Sequence, residues 1–214
     1  MDKCNYTEAQ SVDSPKNTCG LDLIGITKMA KGSIVQTRSP ENALGSGFIV
    51  SNGKEHLVVT AEHNLDADSD KLKIHHRGST YEAQAVQRDN ETDVAVMKLE
   101  RPLRKPPELA LKPYTKIPAA DEGVVTIGHP LGERRSRISP GYVLGRDEAY
   151  PDLHVIEATQ PCTFGNSGGV QLRKDGSWWG IQQSIGPRFG CTSLGARDVV
   201  RVIQRVPGWE DYGK

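Results

Sequence analysis

At 214 residues the chain has room for one domain or two small ones, and its 27 Lys and Arg are balanced by 27 Asp and Glu. Zero net charge argues against a partner held by bulk attraction, so neither nucleic acid nor an anionic membrane surface is expected. Charge-free stretches such as Ala158 to Leu172 are rich in Gly, Asn, Gln and Ser, and no run approaches the roughly 18 apolar residues of a spanning helix. With 22 Gly, 13 Pro and 36% hydrophobic residues, short strands joined by many turns are expected, an all-β chain.

In chain order, residues 1–31 are polar and turn-rich and read as a loosely held N-terminal arm. Short apolar, β-branched runs then predict strands at Ser33–Gln36, Gly47–Ser51, His56–Thr60, Lys71–His75, Tyr81–Gln87 and Val94–Leu99, a first β half over 32–100. Five prolines between 101 and 121 (102, 106, 107, 113 and 118) remove the donors a ladder needs and predict an extended linker. A second β half over 122–197 follows, with strands at Val124–Ile127, Gly141–Gly145, His154–Ala158, Val170–Arg173 and Trp178–Ser184, and a shorter one near Ser193–Leu194. Within 198–214, the apolar spacing of Val199, Val200, Val202, Ile203 and Val206 predicts a helix capped by Asp198 and stopped by Pro207-Gly208. The basic run Arg134-Arg135-Ser136-Arg137 falls at an expected hairpin tip. It reads as a solvated loop, or as a docking site for an acidic partner.

Cysteines stand at 4, 19, 162 and 191. Their separations do not match paired zinc-ligand spacing, and no His cluster completes such a site, so no metal is expected. The start of the chain has no apolar run behind its Lys, so no secretory signal is expected. The compartment stays open, cytoplasmic by default and secreted if the cysteines pair.

The strongest local signal is Gly165-Asn166-Ser167-Gly168-Gly169. Flanking glycines allow a tight turn that leaves the hydroxyl clear and can aim the Gly165 and Ser167 amides at one point, as an oxyanion requires. A serine needs a base. His63 stands where the strand ending Val58-Val59-Thr60 runs out, and Asp93 stands just before the Val94–Leu99 strand. Taken singly, each is matched by an ordinary turn or strand-end role. A nucleotide-binding glycine loop is excluded, because no Walker-type Lys or helical pattern follows the glycines.

Together, the order His63, Asp93, Ser167 resembles the chymotrypsin-like serine proteases. The likeness extends to Gly45-Ser46-Gly47-Phe48-Ile49-Val50, Thr60-Ala61-Glu62-His63 and Asp93-Val94-Ala95-Val96. Ile127-Gly128-His129-Pro130-Leu131-Gly132 is similar to the start of the second barrel in the HtrA (Deg) branch. The resemblance spans roughly residues 32–206. It implies two six-stranded antiparallel β-barrels with a cleft between them and a C-terminal helix. It also implies a serine endopeptidase needing no cofactor, with His63 as general base, Asp93 fixing its tautomer and Ser167 as nucleophile. The alternatives on the same fold are a latent or non-catalytic protein-binding module and a viral polyprotein-processing protease.

Further expectations come from the same likeness. Asn166 replaces the Asp that pairs with a new N-terminus in chymotrypsin and trypsin, so a competent site without propeptide cleavage is expected. With the chain stopping about 47 residues after Ser167, the PDZ module usual in HtrA proteins is not expected. A Cys162–Cys191 disulfide beside the S1 pocket and a Cys4–Cys19 bridge are candidates. Protein or peptide substrates are expected to add a strand near Gln182-Gln183-Ser184, with Cys162 also at the substrate. Gln160, Pro161 and Cys162 at the expected S1 base are not acidic, and Gln182 stands where glutamate-specific relatives often place a His. Both features favour a small or medium apolar P1 residue.

Overall fold

The computed structural model describes residues 22–108, 110–185 and 191–214. Twelve strands form two closed antiparallel barrels. The first comprises β1 (Ile34–Arg38), β2 (Leu44–Ser51), β3 (His56–Ala61), β4 (Lys71–His76), β5 (Ser79–Asp89) and β6 (Val94–Leu99), closed in the order β1-β2-β3-β6-β5-β4. The second comprises β7 (Gly123–Gly128), β8 (Arg137–Arg146), β9 (Val155–Ala158), β10 (Val170–Arg173), β11 (Trp178–Ile185) and β12 (Cys191–Gly195), in the order β10-β11-β12-β9-β8-β7. Closure leaves no unpaired edge in either sheet.

The apolar runs lack clean alternation because both faces of the central strands are buried. Side chains alternate across a strand, so in β2 Ile49 joins the interior of the first barrel while Phe48 and Val50 join the larger core. In β3, Val58 points inward and Val59 outward. In β11, Trp179 fills the second barrel while Trp178 lies in the larger core, its ring 5.0 Å from that of Phe48. Period 2 survives as a choice between two apolar environments, not between oil and water.

Two helices complete that core. α1 (Leu23–Ala30) is capped by Asp22, whose carboxylate accepts from the Gly25 N–H at 2.9 Å, and it buries Ile26 and Ala30. This part of the expected loose arm is therefore packed structure; the rest of the arm, with Cys4 and Cys19, lies outside the described residues. α2 (Ala196–Ile203) buries Val199, Val202 and Ile203. Asp198 is not its cap. Gly195 holds that position, while the buried Asp198 carboxylate accepts from the His154 N–H at 2.7 Å and pairs with Arg197 and Arg201. A negative charge in the first helical turn is favourable, and here it also ties α2 to the start of β9.

Between the barrels, residues 112–114 lie along β11: the Trp178 N–H donates to Lys112 O at 2.9 Å and the Tyr114 N–H to Trp178 O at 2.7 Å. Cys162 and Cys191 form a disulfide with Cα atoms 5.3 Å apart. In the chain-entropy account, a loop of 29 residues closed this way stabilises by about 3–4 kcal/mol. Reduction should lower the thermal midpoint of the intact protein, and mass measurement after alkylation should find Cys162 and Cys191 protected until reductant is added. No helix among the described residues is long and apolar enough to cross a membrane.

Candidate active site

His63 sits in a short 3₁₀ turn, Glu62–Asn64, at the end of β3. Arg88 anchors this turn by reaching Glu62 Oε1 from Nε at 2.9 Å. Asp93 immediately precedes β6, which pairs with β3, and its main chain adopts φ +52°. The left-handed region tolerates Asp and Asn better than most residues. There, the Asp93 carbonyl accepts from the Glu62 N–H at 3.1 Å. Its carboxylate accepts twice from His63, from the main-chain N–H at 2.9 Å and from Nδ1–H at 2.8 Å. The hydrogen bond that His63 donates to Asp93 raises the His63 pKa above the ordinary imidazole value; burial opposes the shift, and the charges of Asp93 and Glu62 reinforce it.

Ser167 comes from the second barrel, on the turn leading into β10. Two peptides of this turn are pinned by their carbonyls. Phe164 O accepts from the Leu131 N–H at 2.6 Å, and Asn166 O from the Gly169 N–H at 2.7 Å. A trans peptide points its N–H opposite its C=O, so the amides of Gly165 and Ser167 face away from those partners. This leaves two donors for an anionic oxygen beside Ser167. Gly165 must be glycine for two reasons. Its φ is +88°, and a Cβ there would lie 2.6 Å from His129 O and 2.9 Å from Leu131 N.

The turn is also bolted to the first barrel. Ser46 Oγ donates to Gly165 O at 2.6 Å and accepts from the His129 N–H at 2.7 Å. Ser167 O accepts from the Ser46 N–H at 2.8 Å and from Asn64 Nδ2 at 2.9 Å, and Asn64 in turn reaches Thr60 Oγ1 at 2.9 Å. Gln183 spans the cleft the other way, its amide donating to Thr92 O at 2.5 Å and to Asp93 O at 3.3 Å. Sequence reasoning did not assign these roles to Ser46, Asn64 or Gln183. Ser46 lies inside the matched Gly45–Val50 stretch, which is the one signal that could have pointed to it.

Thus His63 and Asp93, paired on the first barrel, and Ser167, on the second, lie on segments that Asn64 and Gln183 join across the junction of the barrels. The Ser167 hydroxyl donates to Gln183 O at 3.3 Å in this conformation, not to His63. Gln182 is placed differently from expectation. It is 2% exposed, and both its main-chain groups are engaged with the nucleophile turn: its N–H donates to Gly169 O at 2.8 Å, and its carbonyl accepts from the Gly168 N–H at 2.7 Å. An added substrate strand cannot pair with Gln182, which leaves Gln183 and Ser184 at the surface. A cavity of about 330 Å³ opens there, lined by His63, Glu91, Asp147, Tyr150, Gln183 and Thr192 among others. Gln160 at the expected S1 base is buried and donates to Thr126 Oγ1 at 2.9 Å, and Cys162 is held in the disulfide. Phe164, 84% exposed, presents apolar surface beside the nucleophile turn.

The fold is shared with solved proteases. The active form of Rv3671c protease from M. tuberculosis superposes with a TM-score of 0.72 at 20% identity, covering 95% of each chain. A serine endoprotease from Yersinia pestis gives 0.72 at 22% identity, covering 87% of this chain and 66% of that one. Among curated proteins, a probable DegP-like periplasmic serine endoprotease of Brucella suis is 31% identical over 171 residues, 74% of this chain and 32% of its own. Serine protease HTRA1B of Danio rerio is 31% identical over 149 residues, 65% of this chain and 30% of its own. The chain thus spans about a third of the length of these relatives. The model of the trypsin-like peptidase domain matches residues 45–181, a stretch that contains every catalytic candidate, and with two closed barrels meeting at those residues the chain belongs to the trypsin-like peptidase family.

Proposed function

We propose that the protein is a serine endopeptidase acting through an acyl-enzyme intermediate. Ser167 Oγ attacks the scissile carbonyl while its proton passes to His63 Nε2. The tetrahedral oxyanion lies against the Gly165 and Ser167 amides. Collapse expels the amine, which takes the proton from His63, and water reverses the sequence to release the acid. Asp93 holds the proton on Nδ1, so that Nε2 presents its lone pair. Before reaction the hydroxyl must rotate from Gln183 O to within about 3 Å of Nε2. What supports this reading is the hydrogen bonding of His63 to the Asp93 carboxylate, on a segment that Asn64 ties to the Ser167 carbonyl across the barrel junction.

Substrate is proposed to lie extended against Gln183 and Ser184, with a small or medium apolar P1 side chain, since Gln160, Pro161 and Cys162 at the expected S1 base are not acidic. Asn166 offers no carboxylate to a new N-terminus, so activity should precede any cleavage near residues 20–32. Hydrolysis of an unfolded protein substrate by the intact chain, mapped by mass spectrometry, tests both statements. Strong selection of Lys or Arg at P1, or activity appearing only after N-terminal cleavage, would overturn them.

The base must be neutral to accept a proton. Its raised pKa therefore places the acid limb of kcat/KM above the ordinary imidazole value, with activity falling as pH drops through it. The sign for stability is opposite: the His63–Asp93 pairing contributes fully below the unfolded imidazole value and is lost as pH rises through the folded pKa. A pH–rate profile with its acid midpoint at or below the ordinary value would contradict the assignment of His63.

A further inference from the structure

Three adjoining cavities share walls on a face made by both barrels, and none of their lining residues belongs to the cavity beside His63. The largest, about 960 Å³, has an apolar floor of Ile34, Ile127 and Ile138. Lys31 at the end of α1, Arg77 in the β4–β5 turn and Lys105 in the interbarrel segment form one side. Arg134 and Arg135 line the cavity as well. The neighbouring cavities add Arg38 from β1, Lys73 from β4 and Arg104. Among the described residues, no Asp or Glu lines any of the three, although the chain carries as many acidic as basic residues.

Among these charges, Lys73 has Glu82 opposite it in the β4–β5 register, but Glu82 makes no ion pair there. None of the eight takes part in an ion pair among the described residues. Arg38 stands directly opposite Lys73 in the β1–β4 register, an arrangement of like charges that destabilises a ladder. Arg77 occupies a left-handed position, φ +46°, ahead of Gly78, where a two-residue hairpin favours Asn or Asp. Burial first, and then the charges of Arg38, Lys73 and Arg134, hold His75 below its ordinary value. The charges acting on it from this surface are all positive.

We propose that this groove is a docking site, separate from the substrate cleft, for an extended acidic peptide segment of another protein, with carboxylates on the cationic walls and apolar side chains on the isoleucine floor. Charge of one sign on low-dielectric walls focuses attraction for the opposite sign. The apolar floor favours a peptide over nucleic acid. Single-stranded nucleic acid is favoured by exposed Phe, Tyr or Trp rings to stack on, and Tyr81, the one such residue among the described residues lining these cavities, is 2% exposed. The basic run noted in the sequence supplies Arg134 and Arg135 at one end. The neighbouring His129, which lines the groove, donates its N–H to Ser46 Oγ and so is two hydrogen bonds from Gly165.

The test is fluorescence anisotropy with a labelled peptide alternating Asp or Glu with Leu or Val, on the full chain carrying Ser167→Ala so that the probe stays intact. Binding is thereby read without reference to catalysis, and an inactive wild type would not affect the outcome. Saturable binding should weaken at least about tenfold in Arg134→Glu/Arg135→Glu and on raising salt. It should be unchanged in Lys112→Glu/Lys116→Glu, which makes the same charge change elsewhere. An acidic peptide lacking apolar residues and a single-stranded oligonucleotide of equal charge should each bind more weakly than the probe. Equal loss in both double variants, tighter binding of the oligonucleotide, or no saturable binding of the peptide to folded protein would overturn the proposal. Circular dichroism on each variant separates loss of the site from loss of the fold.

Discussion

Asp93→Asn should lower kcat/KM about 10⁴-fold while leaving the fold in place. The backbone has no reason to move, because Asn tolerates the left-handed φ of +52° as well as Asp does. The side chain, however, must satisfy two donors from His63 with one oxygen. The His63 main-chain N–H, now bonded to Oδ1 at 2.9 Å, keeps the amide oxygen. The amide NH₂ then faces Nδ1, where a carboxylate oxygen now accepts at 2.8 Å. A donor opposite Nδ1 makes that nitrogen the acceptor and places the imidazole proton on Nε2. The nitrogen that should accept the Ser167 proton is then already protonated. The variant should also lose the interaction that raises the His63 pKa, so its residual acid limb should move to lower pH. A loss of less than about tenfold, in a protein with unchanged circular dichroism, would mean that Asp93 does not set the tautomer.

Gly168→Ala should be the most damaging single methyl addition at the site. Gly168 has φ +82°, and a Cβ there would lie 2.2 Å from Ser46 O, 2.6 Å from Thr60 Oγ1 and 2.8 Å from Ala61 N. Those atoms belong to β2 and β3 of the first barrel, so the methyl group would wedge the barrels apart at the nucleophile turn. Backbone strain and overpacking together are expected to cost about 2–5 kcal/mol, a fall in thermal midpoint on the order of 10 °C for a chain of this size. Activity should fall further than stability, since Ser46, one of the residues the methyl group would strike, also holds the Ser167 and Gly165 carbonyls of the nucleophile turn. Gly53→Ala is the matched control. It has a similar φ of +87° but nothing within 4 Å of the added atom, so only the backbone cost of about 1 kcal/mol applies. If the two variants melted alike, the close approach of the barrels at Gly168 would be wrong.

These predictions rest on contacts of unequal visibility in the sequence. The two sets of strands were legible because β-branched runs separated by Gly, Asp and Asn turns carry a local signal. Val94–Leu99 and Val170–Arg173 coincide with β6 and β10. Helix α1 was hidden because Leu23–Ala30 contains Gly25 and β-branched residues and lies in polar company. Its stability comes from burying Ile26 and Ala30 against the barrels, which no local pattern records. Asp198 was misread for a related reason: an acidic residue at a helix start has the same local signature whether it caps the helix or accepts from a distant N–H such as that of His154.

At the site, the three catalytic candidates were legible through their order and flanking glycines. Their supports were not, because Asn64, Gln183 and Ser46 act across sequence separations of about 90 to 120 residues through single hydrogen bonds, which leave no spacing rule. The same applies to the cationic groove. Only Arg134 and Arg135 come from the basic run; Lys31, Arg38, Lys73, Arg77 and the adjacent Arg104 and Lys105 are brought to it by closure of the first barrel and its packing on the second. A balanced charge total concealed an unbalanced surface.

Labelling by a fluorophosphonate probe reads directly whether Ser167 is an activated nucleophile. The wild-type chain should take up one probe per molecule, on Ser167, at a rate that falls as His63 becomes protonated, and Ser167→Ala should take up none. A folded wild-type protein that stays unlabelled above the His63 pKa, or a Ser167→Ala variant labelled as fast as wild type, would mean that Ser167 is not an activated nucleophile.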